Sequence, residues 1–550
     1  MRRSVLLSTL FVFGLFLVVQ PLEGGANNRE IRSQTPSTPF TLSDISESAG
    51  IGWDSDLYGH SAVWADIDTD QDPDLFVTRA FGNPIHDYFY ANDGNGVFSE
   101  AGTIHGIADG DGGSHGACFA DLDNDQDYDH YNGTTKPGTE AVFAFNNVYR
   151  NDAGMFTDVT EGSGVPIDSP WATRGVVCFD MDADGDIDLF AVSNYRGSDD
   201  PPTELNELFR NDGDWQFTPV EGGDVLTAPA GQGVTDTDFD GDGDVDIIAS
   251  NRTGDVNILR NDGSGNFSLV TPASIGITHD APDGTTSADI DNDGDLDLLL
   301  SGDNFGNLYK NDGDGTFTHV QAFSSTDGYM GNFADLDHDG DLDLVFAGDD
   351  IVYINDGNGA FSEGPSIPVT GIIDPRAIAF ADIENDGDLD FAIGVKGTHN
   401  WLIRNNLDGG NWLKIQLISP SGQAGAFGAK VFIYDATDDS LIGMREAHSI
   451  AGYLAQNDPI LHFGLGNLTA VDVRVEFLNG DVEVYETVSA EQTFLVDPRT
   501  PSAATLRAIS STSPDNHLHL LLAVFVVNML LTATVLIWER KEKQVALTQR

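Results

Sequence analysis

Between residues 40 and 410, short apolar runs recur at a nearly constant interval, and each is followed by nine residues in which every second one is acidic. Ala62-Val63-Trp64 precedes the first acidic loop and Leu75-Phe76-Val77 follows it; Leu298-Leu299-Leu300 follows the fifth in the same way. Runs of three or four apolar residues bounded by turn formers are too short for helices and read as β-strands. After a variable connection a third run ends in a turn, as in Asn307-Leu308-Tyr309-Lys310-Asn311-Asp312-Gly313, and Phe317 opens a fourth.

The acidic loops fall at 66–74, 121–129, 180–188, 238–246, 289–297, 335–343 and 382–390, with spacings of 55, 59, 58, 51, 46 and 47 residues. That period marks an array of structural repeats. Turns beginning at Asn92, Asn151, Asn211, Asn261, Asn311 and Asn355 lead five or six residues later to Phe98, Phe156, Phe217, Phe267, Phe317 and Phe361. Asn, Asp and Gly tolerate the positive φ of tight hairpins. Four strands in each of seven units predict a seven-bladed β-propeller over residues 40–411. The seventh unit has its turn at Asn405-Asn406 but no matching Phe, whereas residues 40–51 resemble 156–165. The N-terminal segment is therefore expected to supply the last strand and lock the ring.

Counted from its first acid, each loop is acidic at positions 1, 3, 5, 7 and 9. The first four loops carry Asp66, Asp68, Asp70, Asp72 and Asp74; Asp121, Asp123, Asp125, Asp127 and Asp129; Asp180, Asp182, Asp184, Asp186 and Asp188; Asp238, Asp240, Asp242, Asp244 and Asp246. The last three carry Asp289, Asp291, Asp293, Asp295 and Asp297; Asp335, Asp337, Asp339, Asp341 and Asp343; Asp382, Glu384, Asp386, Asp388 and Asp390. Glycine at position 6 in five loops (Gly185, Gly243, Gly294, Gly340, Gly387) supplies the sharp turn that brings alternate carboxylates together. Positions 1, 3, 5 and 9, with the carbonyl of position 7, then form an oxygen cage suited to Ca²⁺ rather than to Zn²⁺.

A solvated acidic turn fits less well, because like charges about 4 Å apart repel by roughly 4 kcal/mol at an effective dielectric near 20. Calcium is expected to be part of the fold. Gln71 and Gln126 stand where the glycine would be and Glu384 replaces Asp, so loops one, two and seven are expected to bind more weakly. These loops resemble the FG-GAP or VCBS repeats of integrin α-chain propellers, and the resemblance implies calcium ligands at positions 1, 3, 5, 7 and 9.

The chain has 89 acidic against 26 basic residues, a formal charge of −63, which leaves no basic patch for nucleic acid and makes cations the natural partner. With 40% hydrophobic residues it is too apolar to be a disordered polyanion. Cys118 lies three residues before its acidic loop and Cys178 two before, so on alternating strands they face opposite sides and are expected to be buried free thiols.

From Trp412 the acidic repeat stops, and 413–418, 429–434, 471–477 and 482–485 read as strands, the last two joined by Asn479-Gly480. A small β-sandwich-like domain over 412–498 follows. Its segments 425–431, 452–458 and 461–466 resemble the ASPIC/UnbV module that follows such repeats in the cartilage acidic protein family. His462 and Asp458 are read as structural rather than as an acid–base pair.

Residues 1–26 read as a signal peptide, 499–516 as a linker, 518–538 as a single transmembrane helix and 539–550 as a cytoplasmic tail. Together they place the bulk of the chain in the secretory pathway, outside the cytoplasm. A sorting signal cleaved from the C-terminus is the alternative reading of 518–543.

Six residues before each loop stand His60, His115, Arg174, Gln232, Asp283, Tyr329 and Arg376, a ring expected at the channel mouth opposite the acidic loops. Arg79, Lys136, Arg196, Arg252 and Lys396 lie on connections at the same face, which suggests an anion site for an acidic glycan or a partner's carboxylate. The chain thus reads as a membrane-anchored calcium-binding adhesion or ligand-binding protein. An exported carbohydrate-active or other hydrolytic enzyme is the alternative, with His60 and His115 as its only nominees. Asn132, Asn251, Asn266 and Asn467 head N-x-[ST] sequons.

Overall fold

The computed structural model describes residues 40–500 apart from 52–58, 80–85, 109–112, 136–145, 168–172, 194–205, 229–230, 252–253, 280–281, 325–327 and 397–398. The expected signal peptide, transmembrane helix and tail, with most of the linker, lie outside the described residues, as do Lys136, Arg196 and Arg252. Among the described residues no helix is long and apolar enough to cross a membrane.

The acidic-repeat region forms seven antiparallel sheets of four propeller strands each, laid down in sequence order. In every one the last acid of the loop opens the second strand, as in Asp74–Val77 and Asp297–Gly302, because the loop is the hairpin between strands one and two. The seventh sheet runs Pro375–Ala381, Asp390–Val395, Trp401–Asn405 and then Leu42–Asp44 from the N-terminus, with Leu42 opposite Asn405. The first strand of each sheet touches those of its two neighbours, and the first sheet touches the seventh, so the blades close a propeller-like ring. Trp64 of blade one, fully buried, donates its indole N–H to Ala379 O of blade seven at 3.0 Å across this closure.

The recurrent turn Asn does a different job from the one its φ tolerance suggested. Asn92, Asn151, Asn211, Asn311, Asn355 and Asn405 each end a third strand, and the left-handed φ belongs two residues on, to Gly94 at 73° and Gly313 at 80°. Each Asn amide instead donates to the carbonyl of loop position 2 in the preceding blade. Asn151 reaches Ile67 O, Asn211 Leu122 O, Asn261 Met181 O, Asn311 Phe239 O, Asn355 Ile290 O, Asn405 Leu336 O and Asn92 Ile383 O, at 2.7–3.0 Å. Buried backbone carbonyls need such partners.

The expectation of free thiols fails, since Cys118 and Cys178 form a disulfide with Cα atoms 6.4 Å apart. Cys118 is two residues inward from Ala120, the partner of Asp129, and Cys178 one inward from Phe179, the partner of Asp188. They do point to opposite sides of their own blades. In a ring, however, blade two and blade three present opposite sides to each other, so that parity brings the two sulfurs into one interface beside Val148, Val176 and Leu189. Of the sequon residues, Asn132 and Asn251 are buried.

Residues 411–496 form a three-stranded sheet (Leu461–Gly466, Asn411–Leu417, Gln492–Val496) and a four-stranded one (Leu441–Glu446, Lys430–Asp435, Ala470–Glu476, Val482–Ser489). Leu413, Ile415, Val431, Ile433, Val473 and Val496 share one core between them, a sandwich-like packing. This module sits on the acidic-loop face of the ring. Its segment from Ser449 to Asp458 enters the ring, where Ala455–Gln456 pairs in parallel with Ala62–Ala65, the inner strand of blade one. Gln456 exchanges two hydrogen bonds with the backbone of Phe119 in blade two, at 2.9 and 3.0 Å. Asn457 Oδ1 accepts from Phe380 N in blade seven and from Asn332 Nδ2 in blade six. The module therefore caps the propeller and fills its channel.

Candidate metal centres

Hydrogen bonds within each acidic loop impose one repeated backbone path. In six loops the position 1 carboxylate accepts the amides of positions 5 and 6, as Asp66 does from Asp70 and Gln71 and Asp180 does from Asp184 and Gly185, and in loop six Asp335 accepts Gly340 N while Asp339 N turns to Asp337. The position 9 carboxylate spans strands: Asp188 accepts Met181 N at the loop entry and Asn211 N at the end of the third strand. Position 4 is left-handed in every loop, from Thr69 at φ 65° to Asn385 at 56°. Position 6 is left-handed as well, and Gln71 at 78° and Gln126 at 81° follow the path that glycine takes at 94–96°. Loops one and two therefore have the same shape as the others, at the cost of strain that glycine avoids.

This path brings carboxylates together. Oxygens of Asp121, Asp123 and Asp129 lie within 4.8 Å of one another, as do those of Asp180, Asp182 and Asp188, of Asp238, Asp240 and Asp246, and of Asp289, Asp291 and Asp297; in loop one the set is Asp66, Asp68 and Asp70. Position 7 carboxylates turn away instead, onto neighbouring blades: Asp72 accepts from Asn385, Asp186 from Asn124 and Asp341 from Asn292.

Burial dominates the electrostatics, and crowding by like charges adds to it. Asp66, Asp121 and Asp180 are pushed up to about 7 and Asp289 to about 8; at position 9, Asp74 and Asp297 reach about 8 and Asp246 about 9.

The donor atoms themselves test whether calcium fits. In loops one to five the Oδ1 atom of the position 3 carboxylate (Asp68, Asp123, Asp182, Asp240, Asp291) is buried with no hydrogen-bond partner, and Glu384 Oε2 is its counterpart in loop seven. A buried oxygen left without a donor costs on the order of 1–3 kcal/mol, more when charged. The same orphaned oxygen recurs at the same place in six loops, inside all-oxygen donor sets, which is what a hard divalent cation requires. Arg260, Lys310 and Arg404, from third strands, pair with the outer oxygens of positions 3 in loops four, five and seven.

The module adds cations from above. Lys414 Nζ is 2.7 Å from Asp382 Oδ2 and Lys430 Nζ is 2.8 Å from Asp238 Oδ2, both position 1 carboxylates. Arg445 is buried among Asp289, Asp335 and Asp341. Backbone amides contribute too, Ala424 N to Asp121 at 2.9 Å and Gly464 N to Asp335 at 2.9 Å. His462 and His338 both donate to Gly387 O, at 2.8 and 2.9 Å, and Asp458 N donates to Phe380 O of blade seven at 2.9 Å, so His462 and Asp458 both lie where the module meets the ring. No sequence pattern pointed to these contacts, because they join elements up to about 300 residues apart.

The ring expected at an open channel mouth is buried: His60, His115, Arg174, Gln232, Asp283, Tyr329 and Arg376 are all at most 9% exposed. Tyr453 of the module reaches it through the channel. Its hydroxyl accepts from Arg174 at 3.4 Å, its ring stacks on Tyr329 at 5.8 Å, and Arg376 lies 3.9 Å over Tyr329. Gln232 Nε2 donates to Asp283, and Lys396 lies 3.5 Å from Asp374, which also pairs with Arg376. The rings of His60 and His115 are 4.6 Å apart, and burial among these cations holds His115 well below the usual histidine range.

The chain carries FG-GAP-like repeats and, after them, an ASPIC and UnbV domain. FG-GAP-like repeats match at 66–131, 238–300, 289–346 and 335–393, and the ASPIC and UnbV domain at 420–503. It is similar to cartilage acidic protein 1 of Mus musculus, with 26% identity over 472 residues that span 78% of this chain and 71% of that protein. Among solved structures it is similar to an Agrocybe aegerita lectin for non-reducing terminal N-acetylglucosamine, at 16% identity and a TM-score of 0.40, covering 65% of this chain and 88% of that one. A Bacillus licheniformis rhamnogalacturonan lyase shows a TM-score of 0.37 at 12% identity, covering 68% and 75% of the two chains.

Proposed function

We propose that this chain is an exported, membrane-tethered adhesion or ligand-binding module in which calcium ions held by the acidic loops stabilise the propeller and the module seated on it. The orphaned position 3 oxygens carry the calcium reading, since each marks a place where the fold buries a negative atom and supplies no donor. The ligand set would be positions 1, 3, 5 and 9 of each loop. Calcium there would stabilise the ionised form of Asp66, Asp121 and Asp180, which burial, with crowding by like charges added, pushes up to about 7. Export and tethering rest on the apolar segments at 5–19 and 518–538.

Calorimetric titration of the chelated, purified protein with CaCl₂ tests this reading. Saturable binding of several ions per chain, reduced by Asp180→Asn and Asp182→Asn, is the expected result. Absence of saturable binding overturns it.

A further inference from the structure

A second kind of site lies where the module overhangs the propeller rim. Between loop three and the module is a cavity of about 350 Å³, and a second of about 280 Å³ adjoins it at loop four; Phe477 and Leu478 line both. Together they make a cleft that follows the edges of two successive blades. Cavities of roughly 300–1,000 Å³ are the usual size for small-molecule sites.

The floor of the first cavity is apolar, made by Pro420, Ala426, Phe427, Phe477 and Leu478. Asp184, Ser421 and Asn479 add polar groups to its lining. Inside stands Gln423, only 4% exposed, whose side-chain Nε2 has no hydrogen-bond partner. The backbone around it is fixed from both sides. Ser419 Oγ accepts Gln423 N at 3.1 Å, and Ala424 N is tied to Asp121 of loop two at 2.9 Å. A buried amide donor held this firmly and left unpaired is an expensive feature unless a ligand oxygen meets it.

The geometry points to a binding site for a neutral, hydroxyl-rich ligand, an uncharged oligosaccharide laid along loops three and four. Such a ligand offers an acceptor oxygen to Gln423, hydroxyl donors to Asp184, and an apolar C–H face to Phe427 and Phe477. Charge selects against the alternatives. Asp180, Asp184, Asp238, Asp242 and Glu476 line the cleft against Lys430 alone, which disfavours sulfated or carboxylated glycans. A basic peptide would suit the acids and could meet Gln423 with a backbone carbonyl, but it offers no row of hydroxyls to the polar groups of the lining, and the test includes it as the competing occupant. This assignment rests on the reading of the chain as a binding module; it requires no contact between ligand and metal.

The test is a screen of the purified protein, in calcium, against immobilised neutral, amino, sulfated and uronic oligosaccharides and an Arg/Lys-rich peptide, followed by calorimetry on the best binder. Binding of a neutral oligosaccharide is expected, weakened about tenfold by Gln423→Leu, which removes one hydrogen bond to a ligand oxygen. Leu478→Trp, which puts an indole into the wall common to both cavities, is expected to weaken it more strongly still, while the distant Glu486→Ala leaves it unchanged. Each variant is compared at equal melting temperature, and Leu478→Trp decides if Gln423→Leu folds poorly. No neutral binder, indifference to Leu478→Trp, or a preference for the sulfated, uronic or peptide probes overturns the assignment. Calcium uptake without any of this binding would leave the metal reading standing and remove only the cleft.

Discussion

Asn92 in blade one donates its side-chain amide to the carbonyl of Ile383 in blade seven over 2.8 Å, and six equivalent bonds link the other blades into the same circle. All of them but Asn405 also reach their own blade, as Asn311 does at Leu296 O, so one amide fastens a hairpin to two acidic loops. Asn311→Ala would leave Phe239 O and Leu296 O buried and unpaired, and is expected to cost about 2–3 kcal/mol. Urea unfolding of the variant beside Asp314→Ala, at the exposed tip of the same turn, measures it.

The ring was legible because its signals are local: strand length, turn residues and a period that repeats seven times. The seventh blade's missing strand was legible too, from the likeness of residues 40–51 to 156–165, and Leu42 does pair with Asn405. What was illegible is whatever depends on two blades or two domains meeting. The parity of Cys118 and Cys178 was read correctly and its consequence was not, since a single strand does not show that adjacent blades present opposite faces. The ring of His60, Arg174 and Tyr329 was located by register, while Tyr453, about 280 residues from Arg174, was invisible to any local pattern.

Position 6 sets a backbone requirement that two loops meet badly. Gln71 and Gln126 hold φ near 80°, which costs a side-chain-bearing residue about 1–2 kcal/mol, against about 0.5–1 kcal/mol of extra chain entropy for glycine. Gln71→Gly and Gln126→Gly are each expected to raise stability by about 0.5–1 kcal/mol. Gly387→Ala is expected to lower it by more, because the added methyl would run into the Trp412 ring of the module. Thermal melts of the three variants decide the order.

Proton binding gives the calcium-free fold a characteristic pH dependence. Asp66 and Asp180 stand at about 7 and Asp289 at about 8, against an ordinary value near 3.9. Groups whose pKa is raised by folding contribute stability that is complete below the unfolded value and lost as pH rises through the folded one. In chelator the melting temperature should therefore fall from pH 5 to pH 8. Calcium takes the ionised form and expels the protons, so its affinity should climb across the same window. A chelated protein that grows more stable over this range contradicts the account.

Lys414 couples the module to loop seven. With its ammonium 2.7 Å from Asp382 and buried, Lys414→Met leaves a carboxylate uncompensated, a change worth about 3–5 kcal/mol in comparable buried pairs. The loss is expected to be largest in chelator and smaller in calcium, where the ion itself balances Asp382. Protease cleavage within 447–458, compared between the two conditions, reports whether the cap has lifted from the channel.

Diffraction at a wavelength where calcium scatters anomalously, from crystals grown with CaCl₂, decides whether the acidic loops hold calcium. The account predicts peaks inside the acidic loops, each beside the position 3 oxygen that has no protein donor: Asp68, Asp123, Asp182, Asp240 and Asp291 Oδ1 and Glu384 Oε2. Loops with no anomalous peak, and those oxygens met by water or by a protein donor instead, would contradict it.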